Sequence, residues 1–434
     1  MNRLVCLLVI GVLATCSRGT AAPTSDAVRL VLKKGDRVVF IGNTFADRMI
    51  DFGNFEAMLV ARFPELELTF RGLGWSGDEL TRVQLRLPPN PYFRGEHMNH
   101  LQPRPLNFGD MDTHLTKQKA DVIFACFGMN ESFRGAAGVE PFKSDTRALV
   151  LRLREHQYNG HSPPRVVLVS PIPYEQVSPL LPDPGPRNAD LAAYTEAMRE
   201  IAAEENVPFV DLYHPLLPLV GDPAANRLTF NGIHLTAYGY WVAAQMMLDQ
   251  LGFLDTPRIE IDAETLELLS RGPRVAEARR QGKTIAFEIN DWKPAIAPPP
   301  GARLHEAVLS MQPKLVIHGL KPGRYTLAIS GKALATADAA AWRQGIPLLA
   351  GPAQDAGARL RRIVVEKNRQ FFYRWRAVNG EYIYGRRKNP FGVVNFPDEM
   401  HQLDEIVAGL DRKIHAAAQP LQTLRGAVSP TAPK

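Results

Sequence analysis

Five short, uninterrupted apolar runs punctuate the first half of the chain: "RVVFI" (37–41), "LELTFR" (66–71), "DVIFACF" (121–127), "RVVLVS" (165–170) and "PFVDL" (208–212). Runs rich in β-branched residues and lacking polar alternation fit strands that are covered on both faces. Between them the apolar spacing turns helical, in "FGNFEAMLVARF" (52–63), "FKSDTRALVLRLREHQ" (142–157), "NADLAAYTEAMREIAAEEN" (188–206) and "TAYGYWVAAQMMLDQL" (236–251). Strand and helix in alternation predict a parallel sheet wrapped by helices, with ligands at the carboxyl ends of the strands. "GNTF" (42–45), "GLGWSG" (72–77) and "GMNES" (128–132) all fall at those ends.

After residue 255 the pattern changes. "KTIAFEIN" (283–290) and "KLVIHGLKPGRYTLAIS" (314–330), the latter divided by a Pro-Gly turn, predict a small antiparallel element. "WKPAIAPPPGA" (292–302) reads as a connecting loop, and "ARLRRIVVEKNRQFFYRWRAV" (358–378) as a helix. In "PDEMHQLDEIVAGLDRKIHAA" (397–417), Met400, Leu403, Ile406, Val407, Leu410 and Ile414 make one apolar face, with Asp398 and Glu399 near the helix start. These helices are expected to pack onto the rest of the protein. The tail, residues 418–434, has no pattern and is expected to be disordered.

At 434 residues and 45% hydrophobic content the chain can bury a large core. Its N-terminus has Arg3, an apolar run from Leu4 to Ala14, and small residues at Ala21 and Ala22, which predict a signal peptide over residues 1–22 and export to the periplasm or the medium. The apolar run is about half the roughly 20 residues that cross a bilayer. The mature chain is therefore expected to have no transmembrane span. A lipid anchor at Cys16 fits poorly with Thr15 before it. Cys6 and Cys16 lie in the leader, so Cys126 remains alone and no disulfide or thiolate zinc site can form; it reads as a small buried hydrophobe on a strand. The net charge of +6 is spread along the chain without a basic stripe, and no nucleic-acid partner is expected.

Taken in order, "GNTF", "GLGWSG", "FGMNES" and "NGIHLTAYGYW" resemble the four blocks of the SGNH or GDSL hydrolase superfamily, across roughly residues 35 to 250. The resemblance implies a flavodoxin-like three-layer α/β/α sandwich over residues 30–255, followed by an appended small β element and helices over 256–417. It places Thr44 at the family's serine, Gly74 at the block II glycine, Asn130 at the block III asparagine and His234 at the histidine. Asn231 falls where the triad aspartate belongs. It implies an acyl hydrolase, either a carboxyl esterase or a carbohydrate deacetylase, with a small-molecule or carbohydrate ester as substrate and no cofactor or metal. In that chemistry His234 is general base and acid, Asn231 orients it, and Thr44, Gly74 and Asn130 bind the oxyanion.

Two departures weaken the implied machinery. Threonine is stiff at χ1, so attack from a tight turn depends on one rotamer. Asn231 carries no charge, and a comparable Asp-to-Asn change in a serine triad drops turnover by about 10⁴. Asp47, Asp78 and Glu131 are the nearby carboxylates that could compensate, each equally readable as a cap or surface group. Ser76 reads as a turn residue. A catalytically inactive carbohydrate- or ligand-binding protein is the alternative reading.

Two further stretches bear on the substrate. The cluster His97, His100, Asp110, Asp112 and His114 has no specific ligand spacing. The loop from Pro88 to Gly109, with Tyr92, Phe93 and Arg94 and nearby Trp75, reads either as a rim for sugar rings or as a pinned loop.

Overall fold

The computed structural model describes residues 28–80, 110–376 and 396–431. The expected leader, Cys16, the 88–109 loop with Tyr92, Phe93, Arg94, His97 and His100, and residues 377–392 of the aromatic and arginine-rich stretch lie outside the described residues. Among the described residues no helix is long and apolar enough to cross a membrane.

The five predicted strands form one parallel sheet: β1 (Arg37–Gly42), β2 (Thr69–Gly72), β3 (Val122–Cys126), β4 (Arg165–Val169) and β5 (Phe209–Val210), in the order β2-β1-β3-β4-β5. Side chains alternate across it. Val38, Phe40, Val122 and Phe124 face one core; Val39, Ile41, Ile123 and Ala125 face the other. Helices α1 (Thr44–Phe52), α2 (Asn54–Arg62) and α6 (Ala237–Gln250) cover the first face. The second is covered by α3 (Met111–Gln118), α4 (Val139–Glu155) and α5 (Pro184–Glu204). The result is the three-layer α/β/α sandwich that the alternation predicts. Its order reverses between β1 and β3, opening a crevice at their carboxyl ends. Cys126 is buried on β3, 2% exposed, and burial pushes its thiol up.

The edge strand β2 is closed by the C-terminal helices α7 (Pro352–Trp375) and α8 (Phe396–Ala417). Helix α7 passes the edge, so that Leu360 and Val364 enter one core while Phe371 and Trp375 enter the other. At the crossing, the fully buried Lys367 donates to the Phe70 carbonyl of β2 at 2.9 Å, to Glu56 Oε2 at 2.9 Å and to Asn368 Oδ1 at 2.7 Å. Asp411 of α8 clamps Arg71 of β2 at 2.6 Å. A cation thus satisfies an edge carbonyl that would otherwise be left for water or another strand. The predicted apolar face of α8 holds at Val407 and Ile414, but Ile406 is 47% exposed.

The appended β region is larger than the small element expected. Residues β6 (Arg258–Asp262), β7 (Leu268–Arg271), β8 (Arg274–Gln281), β9 (Thr284–Asn290), β10 (Lys314–His318), β11 (Arg324–Ile329), β12 (Lys332–Asp338), β13 (Ile346–Pro347) and β14 (Leu424–Pro430) build two sheets. Their orders are β13-β10-β6-β7 and β12-β11-β14-β9-β8. The predicted hairpin across the Pro-Gly turn does not form, since β10 and β11 belong to different sheets. The β11 turn is Ser330-Gly331 instead, with φ of 50° and 82°, the positive pair a two-residue hairpin needs.

The expectation of a disordered tail is overturned as well, because β14 pairs with β9 and β11. Its inward positions are Leu424, Gly426 and Val428. The glycine packs against the Phe287 ring and so hides the alternation in sequence.

Candidate active site

Strand β1 ends against β3 at Gly42. Its φ is 121°, and a Cβ there would stand 2.0 Å from the Cys126 carbonyl oxygen, so only glycine permits this approach. Asn43 then donates its N–H to that carbonyl at 3.0 Å and caps α1 by accepting from the Phe45 N–H at 3.0 Å. Thr44 is consequently the first residue of α1, at the positive end of the helix and at the sheet's crevice. Its Oγ1 accepts a hydrogen bond from the Gly77 N–H at 3.1 Å.

The loop after β2 is fixed by side chains from three directions. Asp47 Oδ2 accepts from the Ser76 N–H at 3.1 Å and its hydroxyl at 2.6 Å. Arg376, at the end of α7, donates to the Gly74 carbonyl at 2.7 Å and to Asp47 Oδ1 at 3.0 Å, with its guanidinium 3.7 Å from the Trp75 ring centroid. Glu131 is buried and accepts from the Leu80 N–H at 2.8 Å and the Gly128 N–H at 2.9 Å, tying this loop to the turn after β3. Burial pushes its carboxyl up to about 7. Asp47 and Glu131 are therefore structural ties, and Trp75, expected at a rim, is buried beside Trp375. Ser76 is a turn residue held by Asp47.

Asn130 Nδ2 donates to the Asp78 carbonyl at 3.3 Å, which leaves its second amide proton for the pocket it lines. His234 sits in a loop anchored by the buried Glu175, whose Oε2 accepts from the Thr229 N–H at 2.6 Å and the Thr229 hydroxyl at 2.7 Å. The amide of Asn231 meets His234 Nδ1 through Nδ2 at 2.8 Å and Oδ1 at 3.1 Å, and Oδ1 also accepts the His234 backbone N–H at 3.0 Å. The imidazole stacks on Phe230, centroids 5.6 Å apart, and the Arg48 guanidinium lies 5.3 Å from the same ring. Burial first, and the Arg48 charge second, hold His234 below its usual range. Both effects favour the neutral imidazole.

Thr44, Asn130 and His234 line one pocket of about 40 Å³, together with Asn43, Met129, Ile172 and Tyr240. Gly74 does not line it. Its α-carbon is pressed onto α1, where a Cβ would stand 2.3 Å from the Asp47 nitrogen, and the N–H of this loop that reaches Thr44 belongs to Gly77. The motif "GLGWSG" holds three glycines, and sequence alone does not say which one meets the hydroxyl. Arg48 was also overlooked, although it lies four residues after Thr44 and so on the same face of α1. Of the histidine–aspartate cluster, Asp110 caps α3, Asp112 binds Arg152 and Tyr158 at 2.6 Å each, and His114 packs on Trp375.

The family model for GDSL-like lipase/acylhydrolase matches residues 49–242, from just past Thr44 to beyond His234. Among solved structures, the chain is similar to BT4096, a gut microbial diltiazem-metabolizing enzyme, at 18% identity with a TM-score of 0.64, covering 94% of this chain and 100% of the other. That likeness extends the common fold past the GDSL-like domain into the β sheets and C-terminal helices. A GDSL-like lipase from Parabacteroides merdae matches at 17% identity and a TM-score of 0.40, covering 52% of this chain and 99% of its own. An acetyl xylan esterase variant from Geobacillus stearothermophilus matches at 18% and 0.36, covering 51% and 97%. Among curated proteins none matches.

Proposed function

We propose that the protein is an exported acyl hydrolase that removes short acyl groups from a small-molecule or carbohydrate ester. Thr44 is the nucleophile, His234 the general base and acid, and Asn231 the residue that orients His234. The oxyanion is bound by the Thr44 and Gly77 N–H groups and by Asn130 Nδ2, with Gly77 taking the role that the sequence resemblance assigns to Gly74. The observation that carries this reading is the single pocket lined by Thr44, Asn130 and His234, with a backbone N–H 3.1 Å from the threonine oxygen. A donor that close to the attacking oxygen is within reach of an oxyanion formed on the carbon bonded to it. The neutral state of His234 is the one a base needs.

The Asn231 amide limits the rate. When Nδ2 donates to His234 Nδ1, the imidazole proton sits on Nε2 and that nitrogen can no longer accept the threonine proton. The base tautomer needs Oδ1 at Nδ1, yet Oδ1 already accepts the His234 backbone N–H. The same contact favours a second reading, a ligand-binding protein without turnover. Hydrolysis of p-nitrophenyl acetate and acetylated sugars by the wild type, Thr44→Ala, Thr44→Ser and Asn231→Asp separates the two. An acyl hydrolase loses its rate in Thr44→Ala and gains in Thr44→Ser and Asn231→Asp. Flat rates across all four proteins reject it.

A further inference from the structure

Beside the pocket at Thr44, a cleft of about 470 Å³ lies between α1 and α7, lined among the described residues by Arg48, Asp51, Ser76, Arg369, Phe372 and Tyr373, among others. The two spaces have no lining residue in common, but two contacts connect them. Ser76 precedes Gly77, whose N–H meets Thr44 Oγ1, and Arg48 rests on the Phe230 ring that stacks on His234. The C-terminal part of the chain thereby supplies one wall of this cleft.

Of the three arginines at this cleft, Arg376 is committed to Asp47 and the Gly74 carbonyl. Arg48 and Arg369 form no ion pair with any described residue; each is felt by Asp51, whose carboxyl burial raises. A guanidinium lying over an aromatic ring keeps its N–H edge free, and that edge matches a carboxylate bidentately. The placement of Arg48 also has a cost. A cation beside His234 opposes the imidazolium that the reaction forms, so its position makes catalytic sense only when an anion cancels it. Tyr373, 47% exposed, offers a flat face across the cleft, while Asp51 offers a polar group to hydroxyls.

We propose that the cleft holds the alcohol part of the substrate and selects an acylated uronic acid, with Arg48 and Arg369 binding the carboxylate and Tyr373 the ring face. This rests on the acyl-hydrolase reading of Thr44, and it gives Arg48 a second effect. The bound carboxylate offsets the guanidinium charge at His234 and supplies part of the negative field that Asn231 lacks, so anionic esters gain in kcat as well as in KM.

Binding is measured first, by calorimetry of D-glucuronate and D-glucose with the Thr44→Ala protein, a readout that does not depend on turnover. Glucuronate is expected to bind at least tenfold tighter, about 1.4 kcal/mol, and the preference is expected to vanish in the Arg48→Gln/Arg369→Gln background. The single change Arg369→Gln, on the exposed face of α7, should remove about half of it in free-energy terms. Equal affinity for the two sugars, or a preference that survives the double change, overturns the proposal. Turnover is measured second, with mono-O-acetyl glucuronate against mono-O-acetyl glucose. The kcat/KM ratio is expected to be at least ten in the wild type, with part of it in kcat, and near one in the double variant. A wild-type ratio near one overturns the assignment of the cleft to the substrate. Should glucuronate bind selectively while no ester is hydrolysed, the cleft stands as an anionic sugar site and only the acyl-hydrolase reading falls.

Discussion

Replacing Lys367 by methionine tests whether the C-terminal helices are part of the hydrolase core. The ammonium is fully buried and joins Glu56 of α2, the Phe70 carbonyl of β2 and Asn368 of α7. Burial pushes the Glu56 carboxyl up and the Lys367 ammonium down, and their mutual attraction offsets part of each. Methionine nearly matches the lysine stem in volume, so little cavity arises and the main effect is an uncompensated buried carboxylate. Removing one partner of such a pair costs about 3–5 kcal/mol. That is a large share of the roughly 5–15 kcal/mol by which a domain is stable. The double variant Glu56→Leu/Lys367→Met should recover most of the loss and fall short by about 1 kcal/mol for the carbonyls left unpaired.

The assay is urea unfolding monitored by tryptophan fluorescence at two pH values. In Lys367→Met the folded Glu56 ionises well above its unfolded value. The folded state therefore binds the extra proton, and stability falls as pH rises from the unfolded carboxylate range upward. The deficit against wild type should be smaller near pH 5 than near pH 7. A cost under 1 kcal/mol at pH 7, or a deficit with no pH dependence, refutes the view that Lys367 locks the edge of the sheet.

Three shorter predictions concern the site. Because burial and Arg48 hold His234 down, the acid limb of kcat/KM for p-nitrophenyl acetate should lie below the usual histidine range of about 6.5. Asn231→Asp should move it up by about 1–3 units as a carboxylate reaches Nδ1; an unmoved limb excludes His234 as the base. The Glu131 carboxyl, at about 7 when folded against the ordinary carboxylate range when unfolded, makes the native state lose roughly 3 kcal/mol between about pH 4.5 and 7. That slope should flatten in Glu131→Gln, as read by chemical unfolding across the interval. Gly42→Ala forces a Cβ onto the Cys126 carbonyl at positive φ and should cost about 3 kcal/mol while displacing Thr44. Its thermal shift and residual esterase rate measure both effects.

The parallel sheet was legible because β1, β3 and β4 are buried on both faces and therefore written as nearly unbroken apolar runs. Helices α4 and α5 were legible because each buries a stripe, whereas α6 is buried all round from Tyr238 to Leu248. Legibility failed where a small residue does the packing. Gly426 hides the alternation of β14, and the glycine that meets Thr44 is Gly77, three residues past the one chosen from the motif. It failed also where the partner is remote. Nothing near Lys367 in sequence announces that it ends at Glu56 and the Phe70 carbonyl, 311 and 297 residues away. The Pro-Gly pair between β10 and β11 misled because a turn signal fixes a change of direction but not which strand waits on the other side. Thr44, Asn130 and His234 were singled out by their order along the chain, and the fold brings the three to one pocket.

The electrostatics around His234 were not legible that way. In the proposed mechanism Asn231 stands at His234 Nδ1 without a charge, while Arg48, a turn beyond Thr44, adds a charge of the wrong sign for an imidazolium. Either feature alone would slow acyl transfer. Together they leave the general base short of negative field on the side where the cleft of Arg48, Arg369 and Tyr373 opens. In the proposed reading, an acidic substrate both fills that cleft and makes up the deficit.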